Sequence, residues 1–170
     1  MTPFSHLDSS GRVRMVDVSA KAETVREAVA RGRVRMAAGT LRQLRAGGGP
    51  KGNALTTAHL AAVMAAKRAG EWIPLAHPLN VEAVEVTFTF ESRPAAVGIE
   101  CRVRTTGRTG VEMEALTAVA AAALTLVDML KALDRTLVIG DVALWEKRGG
   151  RSGEWTRGRP ARPSASRRSR

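Results

Sequence analysis

The clearest pattern of apolar and polar positions lies between Thr106 and Asp134. Apolar residues recur at steps of three and four over residues 113–130, and neither Gly nor Pro interrupts them. This spacing is the period of an α-helix with one buried face. Thr109 and Glu112 have the spacing of a capping box, in which each side chain binds a free backbone N–H at the helix start. The sequence therefore predicts a helix of about 20 residues that begins near Gly110.

Three other segments alternate between apolar and polar residues, as strands with one buried face do. Residues 84–90 and 97–103 alternate on either side of a turn that contains Pro94, which predicts a β-hairpin. Residues 138–147 predict a last strand. Cys101 falls on the apolar side of the second hairpin strand, so we expect it to be buried.

The first half of the chain is less regular. Residues 12–18 alternate well enough for a short strand or an extended arm. Residues 19–31 have a briefly helical pattern, but the alternation that follows predicts a strand ending near Met36. Arg26 could lie on either element.

Two helices are predicted next. Thr40 and Gln43 form a second capping-box pattern before a short helix that ends at the glycines of residues 47–49. Asn53 is a good cap for a helix over residues 54–69, with Gly70 at its end. Residues 71–80 contain two prolines and are predicted to be irregular.

In chain order the elements are strand, helix, helix, strand, strand, helix and strand. This order predicts an α+β fold, a ferredoxin-like sandwich in which helices pack on one face of an antiparallel sheet. We assign residues 1–147 to a single α+β domain. From Arg148 the composition changes to Gly, Arg, Ser and Pro, so residues 148–170 are predicted to be a disordered basic tail.

Composition narrows the class of protein. The chain of 170 residues is 44% hydrophobic but only 4% aromatic, so its core should consist of Ala, Val and Leu. A single cysteine excludes an internal disulfide and a multi-Cys zinc site, and favours a reducing compartment, so we expect a cytoplasmic protein. No segment resembles a signal peptide or a membrane span. The three histidines are far apart, and no metal site is predicted.

The net charge of +11 comes mostly from the tail, where eight Arg face one Glu over residues 148–170. One alternative function is therefore nucleic-acid binding through the tail. The predicted strands show no row of exposed aromatic residues of the kind that stacks on RNA bases. A further alternative is a regulatory oligomer that binds a nucleotide without catalysis.

Several polar residues could carry chemistry. Lys51 lies in a glycine-rich loop, but the sequence around it lacks the pattern of a P-loop. Asp128 and Lys131 are spaced as an i,i+3 ion pair, which on most helices is only a solvated surface pair. His77 is flanked by prolines that would fix its loop. Lysines with a few carboxylates suit a polyanionic substrate and proton transfer.

Six segments together closely resemble one enzyme family, over about residues 5–153. They are MVDVSAKAETVREA, PKGNAL, AAKRAGEWIPLAHPL, TGRTGVEMEALTA, VDMLKALD and VIGDVALWEKRGGRSG. This order and spacing resemble the cyclic pyranopterin monophosphate synthase family, also called the molybdenum cofactor biosynthesis protein C family.

The resemblance implies a lyase that converts 3′,8-cyclo-7,8-dihydro-GTP into cyclic pyranopterin monophosphate with release of pyrophosphate, in molybdenum cofactor synthesis. Its functional partner would be the upstream radical S-adenosylmethionine enzyme that cyclises GTP. The family assembles as a hexamer of three dimers with sites at the dimer interface. The resemblance implies no cofactor, although Mg²⁺ could accompany the triphosphate.

The resemblance also implies roles for particular residues. Asp128, Lys131 and Lys51 would be catalytic. The substrate-binding set would comprise Leu75, Ala76, His77, Met113, Glu114, Glu112, Lys67, Lys21, Arg26 and Lys147.

The chain departs from the family pattern at four positions. Ala76 stands where Cys is usual and Asn53 where Asp is usual, while Arg108 and Arg151 replace Lys. Because Arg binds phosphate but does not exchange its proton, neither Arg should act as an acid or base.

Overall fold

A computed structural model describes residue 7 and residues 10–47, 49–150 and 153–158. These residues form five strands and four helices. In chain order they are β1 (Thr24–Arg35), α1 (Ala38–Arg45), α2 (Ala54–Lys67), α3 (Ala69–Trp72), β2 (Ala83–Ser92), β3 (Ala95–Gly107), α4 (Glu112–Leu130), β4 (Val138–Arg148) and β5 (Trp155–Thr156).

The strands form one antiparallel sheet in the order β2-β3-β1-β4-β5. Without β5, the order of the four long strands is that of the ferredoxin-like fold, in which the two β-α-β halves interleave. The predicted fold class is confirmed. Strand β1 lies at the centre because it pairs with β3 along its whole length and with β4 on its other side.

Helix α4 packs across the middle of the sheet and α2 packs beside it. Small side chains make this close approach possible: Ala118 and Ala122 of α4 and Ala58 and Ala62 of α2 are all fully buried. Opposite α4, Gly32 of β1 leaves no room for a side chain, since an added Cβ would meet the Val119 side chain at 2.5 Å. The core therefore consists mainly of Ala, Val and Leu, as the composition predicts.

Helix α4 is long and apolar enough to cross a membrane by length and composition alone. However, more than half of this apolar stretch is buried against the sheet and α2. A core helix meets the same criteria, and α4 is the core helix of this fold.

The helical pattern over residues 19–31 is wrong as a prediction. Residues 12–22 form an arm that contains no helix and is extended except for a turn, in which the Lys21 N–H donates to the Val18 carbonyl oxygen at 3.0 Å. The chain enters β1 at Thr24. Arg26 is therefore a strand residue. Pairing on both sides of β1 outweighs the local pattern, because a central strand satisfies its backbone polar groups through two neighbours.

Both predicted capping boxes are also wrong. Helix α4 begins at Glu112, after Val111, without a side-chain cap. Helix α1 begins at Ala38, and Thr40 lies inside it with its hydroxyl donating to Asp134 at 3.1 Å. In the first box Glu112 pairs with Lys147, and the Thr109 hydroxyl has no hydrogen-bond partner among the described residues. Thr40 likewise forms a long-range contact instead of the local one. The cap at Asn53 is confirmed, since its side chain accepts from the Thr56 N–H at 3.0 Å.

Helix α2 ends at Lys67 rather than Ala69, and Gly70 belongs to the single turn of α3. The ordered chain also extends beyond the predicted boundary at residue 147. Residues 155–156 form β5, and the Arg157 N–H donates to the Trp145 carbonyl at 2.7 Å. Residues 151–152 and 159–170 of the predicted disordered tail lie outside the described residues.

Candidate active site

A cavity of about 900 Å³ opens beside the N-terminal end of α4. The extended arm, β1, the loop before α4 and the end of β4 form its walls. Four residues that the sequence predicts as substrate-binding line it together: Lys21, Arg26, Glu112 and Lys147. Other lining residues include Asp17, Arg108, Thr109, Gly149 and Gly150.

Basic side chains dominate this cavity. The Lys147 ammonium pairs with Glu112 at 3.0 Å, and both side chains are mostly enclosed. The Arg26 guanidinium donates to the carbonyl oxygens of Gly107 and Arg108, each at 3.3 Å. Such fixed cations beside the positive end of a helix suit an anionic ligand.

A second cluster lies at the C-terminal end of α4. The Asp128 carboxylate accepts from the Lys131 ammonium and from the Lys51 ammonium, each at 2.7 Å. The glycine-containing loop before α2 carries Lys51 to this point. The hydrogen bonds from Lys131 and Lys51 lower the pKa of Asp128 to about 2, so it is ionised at neutral pH. The structure thus brings together the three residues predicted as catalytic.

The two clusters lie at opposite ends of one helix. Glu112 and Asp128 are separated by about 24 Å at the rise of an α-helix. The side chains of the second cluster are about half exposed, whereas Glu112 and Lys147 are less than one-third exposed. One chain therefore has a basic cavity and, far from it, an open acid/base cluster.

The remaining predicted site residues do not line the cavity. Met113 is half-buried, and Glu114 is only 3% exposed. Burial raises the pKa of Glu114, partly offset by a hydrogen bond from its own backbone N–H. Lys67 is exposed at the C-terminal end of α2.

The loop that contains Leu75, Ala76 and His77 reaches the cavity only indirectly. The His77 ring, through Nε2, lies 2.8 Å from the carbonyl oxygen of Val16 in the arm. The next residue, Asp17, lines the cavity. His77 therefore holds the arm that forms one cavity wall.

Sequence reasoning missed several cavity residues. Asp17 accepts from the Ser19 N–H at 2.8 Å, which lowers the pKa of its carboxyl group. Arg108, which lines the cavity, forms an ion pair with Glu23 at 3.7 Å. Asp17 and Glu23 lie within the MVDVSAKAETVREA segment, but nothing in their spacing shows that the arm folds onto the cavity.

Asp134 is a further residue without a predicted role, and it anchors the chain just beyond the second cluster. It is 7% exposed and accepts from the Ala37 N–H at 2.7 Å, from the Thr40 hydroxyl and from the N–H and hydroxyl of Thr136. The hydrogen bonds from Thr136 and Ala37 are the main causes that lower its pKa to about 2. Asp134 thereby fixes the turn that follows Lys131.

Among the described residues, no group of three or more His, Cys, Asp or Glu side chains is arranged to hold a metal ion. The cavity and the cluster are instead built from ammonium, guanidinium and carboxylate groups. These groups can bind phosphates and move protons.

Comparison with known proteins identifies relatives that match most of this chain. A protein from Roseiflexus castenholzii named cyclic pyranopterin monophosphate synthase is 57% identical over 154 residues, covering 91% of this chain and 98% of that protein. Proteins of the same name from Heliobacterium modesticaldum and Novosphingobium aromaticivorans are 54% and 55% identical over 157 residues each, covering 92% and 91% of this chain and 99% and 98% of those proteins. The sequence profile of the MoaC family matches residues 15–150. The chain therefore belongs to the MoaC family.

Proposed function

We propose that this protein is a cyclic pyranopterin monophosphate synthase, the activity for which its relatives are named. It is then a lyase of molybdenum cofactor biosynthesis that takes 3′,8-cyclo-7,8-dihydro-GTP and releases pyrophosphate. The observation that carries the proposal is the cluster of Lys51, Asp128 and Lys131, in which one carboxylate bridges two ammonium groups. Family membership over most of the chain supports it.

The chemistry matches the groups present. Forming a cyclic monophosphate from a triphosphate requires a substrate oxygen to attack the α-phosphorus, while the bond to pyrophosphate breaks. The attacking hydroxyl must lose a proton, and negative charge develops on the leaving group. One of Lys51 and Lys131, in its neutral form, accepts the hydroxyl proton, and Asp128 orients both lysines. The cations of the cavity bind the phosphates and stabilise the pyrophosphate as it leaves.

The separation of the two clusters supports a pocket that is built from two chains. A small molecule cannot contact both ends of α4 in one chain. A second copy can place its Lys51–Asp128–Lys131 cluster over the cavity of the first. The apolar side chains of Leu60, Met64 and Leu124 on α2 and α4 are more than half exposed, and such a copy would cover them.

This proposal includes a hexamer made of three such dimers, located in the cytoplasm. The upstream GTP-cyclising enzyme would supply its substrate. The buried, reduced Cys101 is compatible with a reducing compartment. Mg²⁺ would enter with the triphosphate rather than as a resident ion. Nucleic-acid binding is not favoured for the sheet, since Phe88 and Phe90 pack against the core and cannot stack on bases.

The decisive experiment is incubation of the purified protein with the cyclised GTP intermediate, followed by measurement of pyrophosphate and of the pterin product. We expect both to form in equal amounts. A chain truncated after Gly158 should keep this activity, because β5 is retained. Failure of the full-length protein to release pyrophosphate would refute the proposed function and favour a non-catalytic nucleotide-binding oligomer.

A further inference from the structure

The connection after β4 passes over the cavity on two consecutive glycines. Gly149 and Gly150 both line the cavity and both have positive φ angles, +95° and +73°. Residues with side chains rarely adopt this left-handed backbone, whereas glycine adopts it without strain. The chain then continues toward β5, which pairs with the far edge of β4.

A side chain at either glycine would collide with β1, with its backbone at Gly149 and with the end of the Arg26 side chain at Gly150. A Cβ added at Gly149 would collide with the carbonyl oxygen of Val25. A Cβ added at Gly150 would collide with Nη1 of Arg26. The backbone at Gly150 therefore lies directly against the guanidinium group.

The opposite side of that guanidinium is held by the loop before α4. Nε and Nη2 donate to the carbonyl oxygens of Gly107 and Arg108. In the part of the chain that the structure describes, Nη1 has no hydrogen-bond acceptor. The Arg26 side chain is thus clamped between two backbone segments, with its third nitrogen free to donate beside the cavity.

We propose that Gly150 is a positioning residue, which holds the Arg26 guanidinium in the cavity wall so that it binds the phosphate groups of the substrate. This inference rests on the proposed function for the nature of the substrate. Its chemical basis is the fit of a fixed guanidinium to a di- or triphosphate, which needs planar donors at a defined position. Any side chain at residue 150 displaces the guanidinium and weakens phosphate binding, although the substituted residue itself need not touch the ligand.

The test compares Gly150→Ala with Gly153→Ala. Gly153 also has a positive φ, +63°, but a Cβ there would meet nothing within 4 Å. Both variants carry the same kind of backbone strain, and only Gly150→Ala disturbs Arg26. Calorimetry with inorganic tripolyphosphate and steady-state turnover with the cyclised GTP intermediate are measured for both. The thermal unfolding of each variant shows whether it folds.

Gly150→Ala should weaken tripolyphosphate binding and raise KM by about 10- to 100-fold, the worth of one charge-assisted hydrogen bond. Its kcat should fall by less than KM rises, because the acid/base cluster is untouched and the other cavity cations still stabilise the leaving pyrophosphate. Gly153→Ala should change binding by less than about threefold. Equal effects of the two variants would overturn the proposal.

A double variant tests whether the effect passes through Arg26. Adding Gly150→Ala to Arg26→Ala should weaken binding no further, because the displaced group is already gone. Additive losses would overturn the proposal. If Gly150→Ala alone does not fold, the comparison of Arg26→Ala with Arg26→Ala/Gly150→Ala carries the test, because the shortened side chain no longer collides with residue 150. The two should bind tripolyphosphate equally, and a further loss in the double variant would contradict the role.

These outcomes are independent of the proposed function. A wild-type protein that binds tripolyphosphate but releases no pyrophosphate from the intermediate would refute the enzyme activity, while the binding series still tests Gly150. A wild-type protein that turns over the intermediate, with Gly150→Ala indistinguishable from Gly153→Ala, would refute only the role of Gly150.

Discussion

The two ends of α4 differ in almost every physical property. At the N-terminal end, Glu112 and Lys147 form an enclosed ion pair in a cavity walled by the arm, β1 and β4. At the C-terminal end, Asp128 binds Lys51 and Lys131 on an open surface. The first end is an enclosed cavity, and the second end displays one carboxylate and two ammonium groups that are about half exposed.

Under the proposed function, this difference indicates that one end of α4 binds the substrate and the other end transfers protons. Enclosure strengthens electrostatic attraction and suits binding, whereas an acid/base cluster open to water lacks the exclusion of solvent that proton chemistry benefits from. The cavity lacks the Lys51–Asp128–Lys131 cluster, and that cluster lacks an enclosure. The proposed assembly, in which one copy covers the cavity of another, supplies both conditions at one place.

The largest effect that separates the two ends should come from Lys131→Ala. Removing this proton carrier should lower turnover by about 10²- to 10⁴-fold, the usual contribution of general acid–base catalysis. Tripolyphosphate binding should weaken by less than about tenfold, since the cavity is formed by the other end of the helix. Pyrophosphate release and calorimetry measure the two quantities.

Two matched variants refine this prediction. Lys131→Arg keeps the positive charge but cannot be deprotonated near neutral pH, so it should be nearly as inactive as Lys131→Ala. Arg135→Ala removes an exposed cation just beyond the cluster and should remain active. Turnover by Lys131→Ala at the wild-type rate would contradict the assignment of Lys131 as a catalytic residue.

Mixing two impaired variants, assayed at a substrate concentration below the wild-type KM, tests whether the two ends meet across chains. Arg26→Ala damages the cavity and Lys131→Ala damages the cluster. If the pocket contains one end from each copy, a dimer of the two variants has one site with both ends intact. Random reassociation after mild unfolding should then restore about a quarter of wild-type turnover, since half of the dimers are mixed and each has one good site.

The control for this experiment is the same mixture without reassociation, which should stay inactive. Recovery is impossible if both ends act within one chain, because no chain in the mixture carries both. A folded, reassociated mixture that remains inactive would therefore rule out the two-chain pocket.

A smaller effect, on stability rather than turnover, is expected at Asp134. Asp134→Ala leaves the Ala37 N–H and the Thr136 N–H without their acceptor, which should cost roughly 2–3 kcal/mol of unfolding free energy. The folded-state pKa of about 2 lies below the ordinary value of 3.8. The stabilisation by Asp134 is therefore complete above about pH 4 and is lost as the pH falls toward 2.

Denaturant unfolding of the wild type and of Asp134→Ala between pH 2.5 and pH 7 measures how the stabilisation by Asp134 depends on pH. The difference in unfolding free energy should be constant at neutral pH and shrink in acid. A difference that does not depend on pH would show that the carboxylate charge of Asp134 contributes nothing to the fold.

Some elements of the fold could be predicted from the sequence, and others could not. The hairpin of β2 and β3, helix α4 and strand β4 were predictable because their periodicity reflects one buried face each. Asn53 was predictable because a cap acts within three residues. In contrast, Thr40, Thr109 and Glu112 have the local spacing of caps, yet Thr40 bonds to Asp134 and Glu112 to Lys147.

The candidate site also has a part that was predicted from the sequence and a part that was not. The cluster of Lys51, Asp128 and Lys131 was predicted through family resemblance, and the spacing of Asp128 and Lys131 alone indicated only a surface pair. The cavity wall formed by Asp17, Gly149 and Gly150 was not predicted. It depends on the arm and the β4–β5 connection folding onto β1, and such long-range contacts leave no periodic signal in a single sequence.

The smallest effect should come from Glu114, whose carboxyl group contrasts with that of Asp134. Both groups are buried, but Asp134 accepts several hydrogen bonds, whereas desolvation dominates at Glu114 and raises its pKa. A carboxyl group with a raised folded-state pKa stabilises the fold only while it is protonated, and its ionisation destabilises the fold as the pH rises. Glu114→Gln should therefore raise the unfolding free energy of the ligand-free protein at pH 8 by on the order of 1 kcal/mol or less, with no gain at pH 4. A loss of stability at pH 8 would instead show that the Glu114 carboxylate is stabilised by groups around it, and the contrast between the two carboxyl groups would fail.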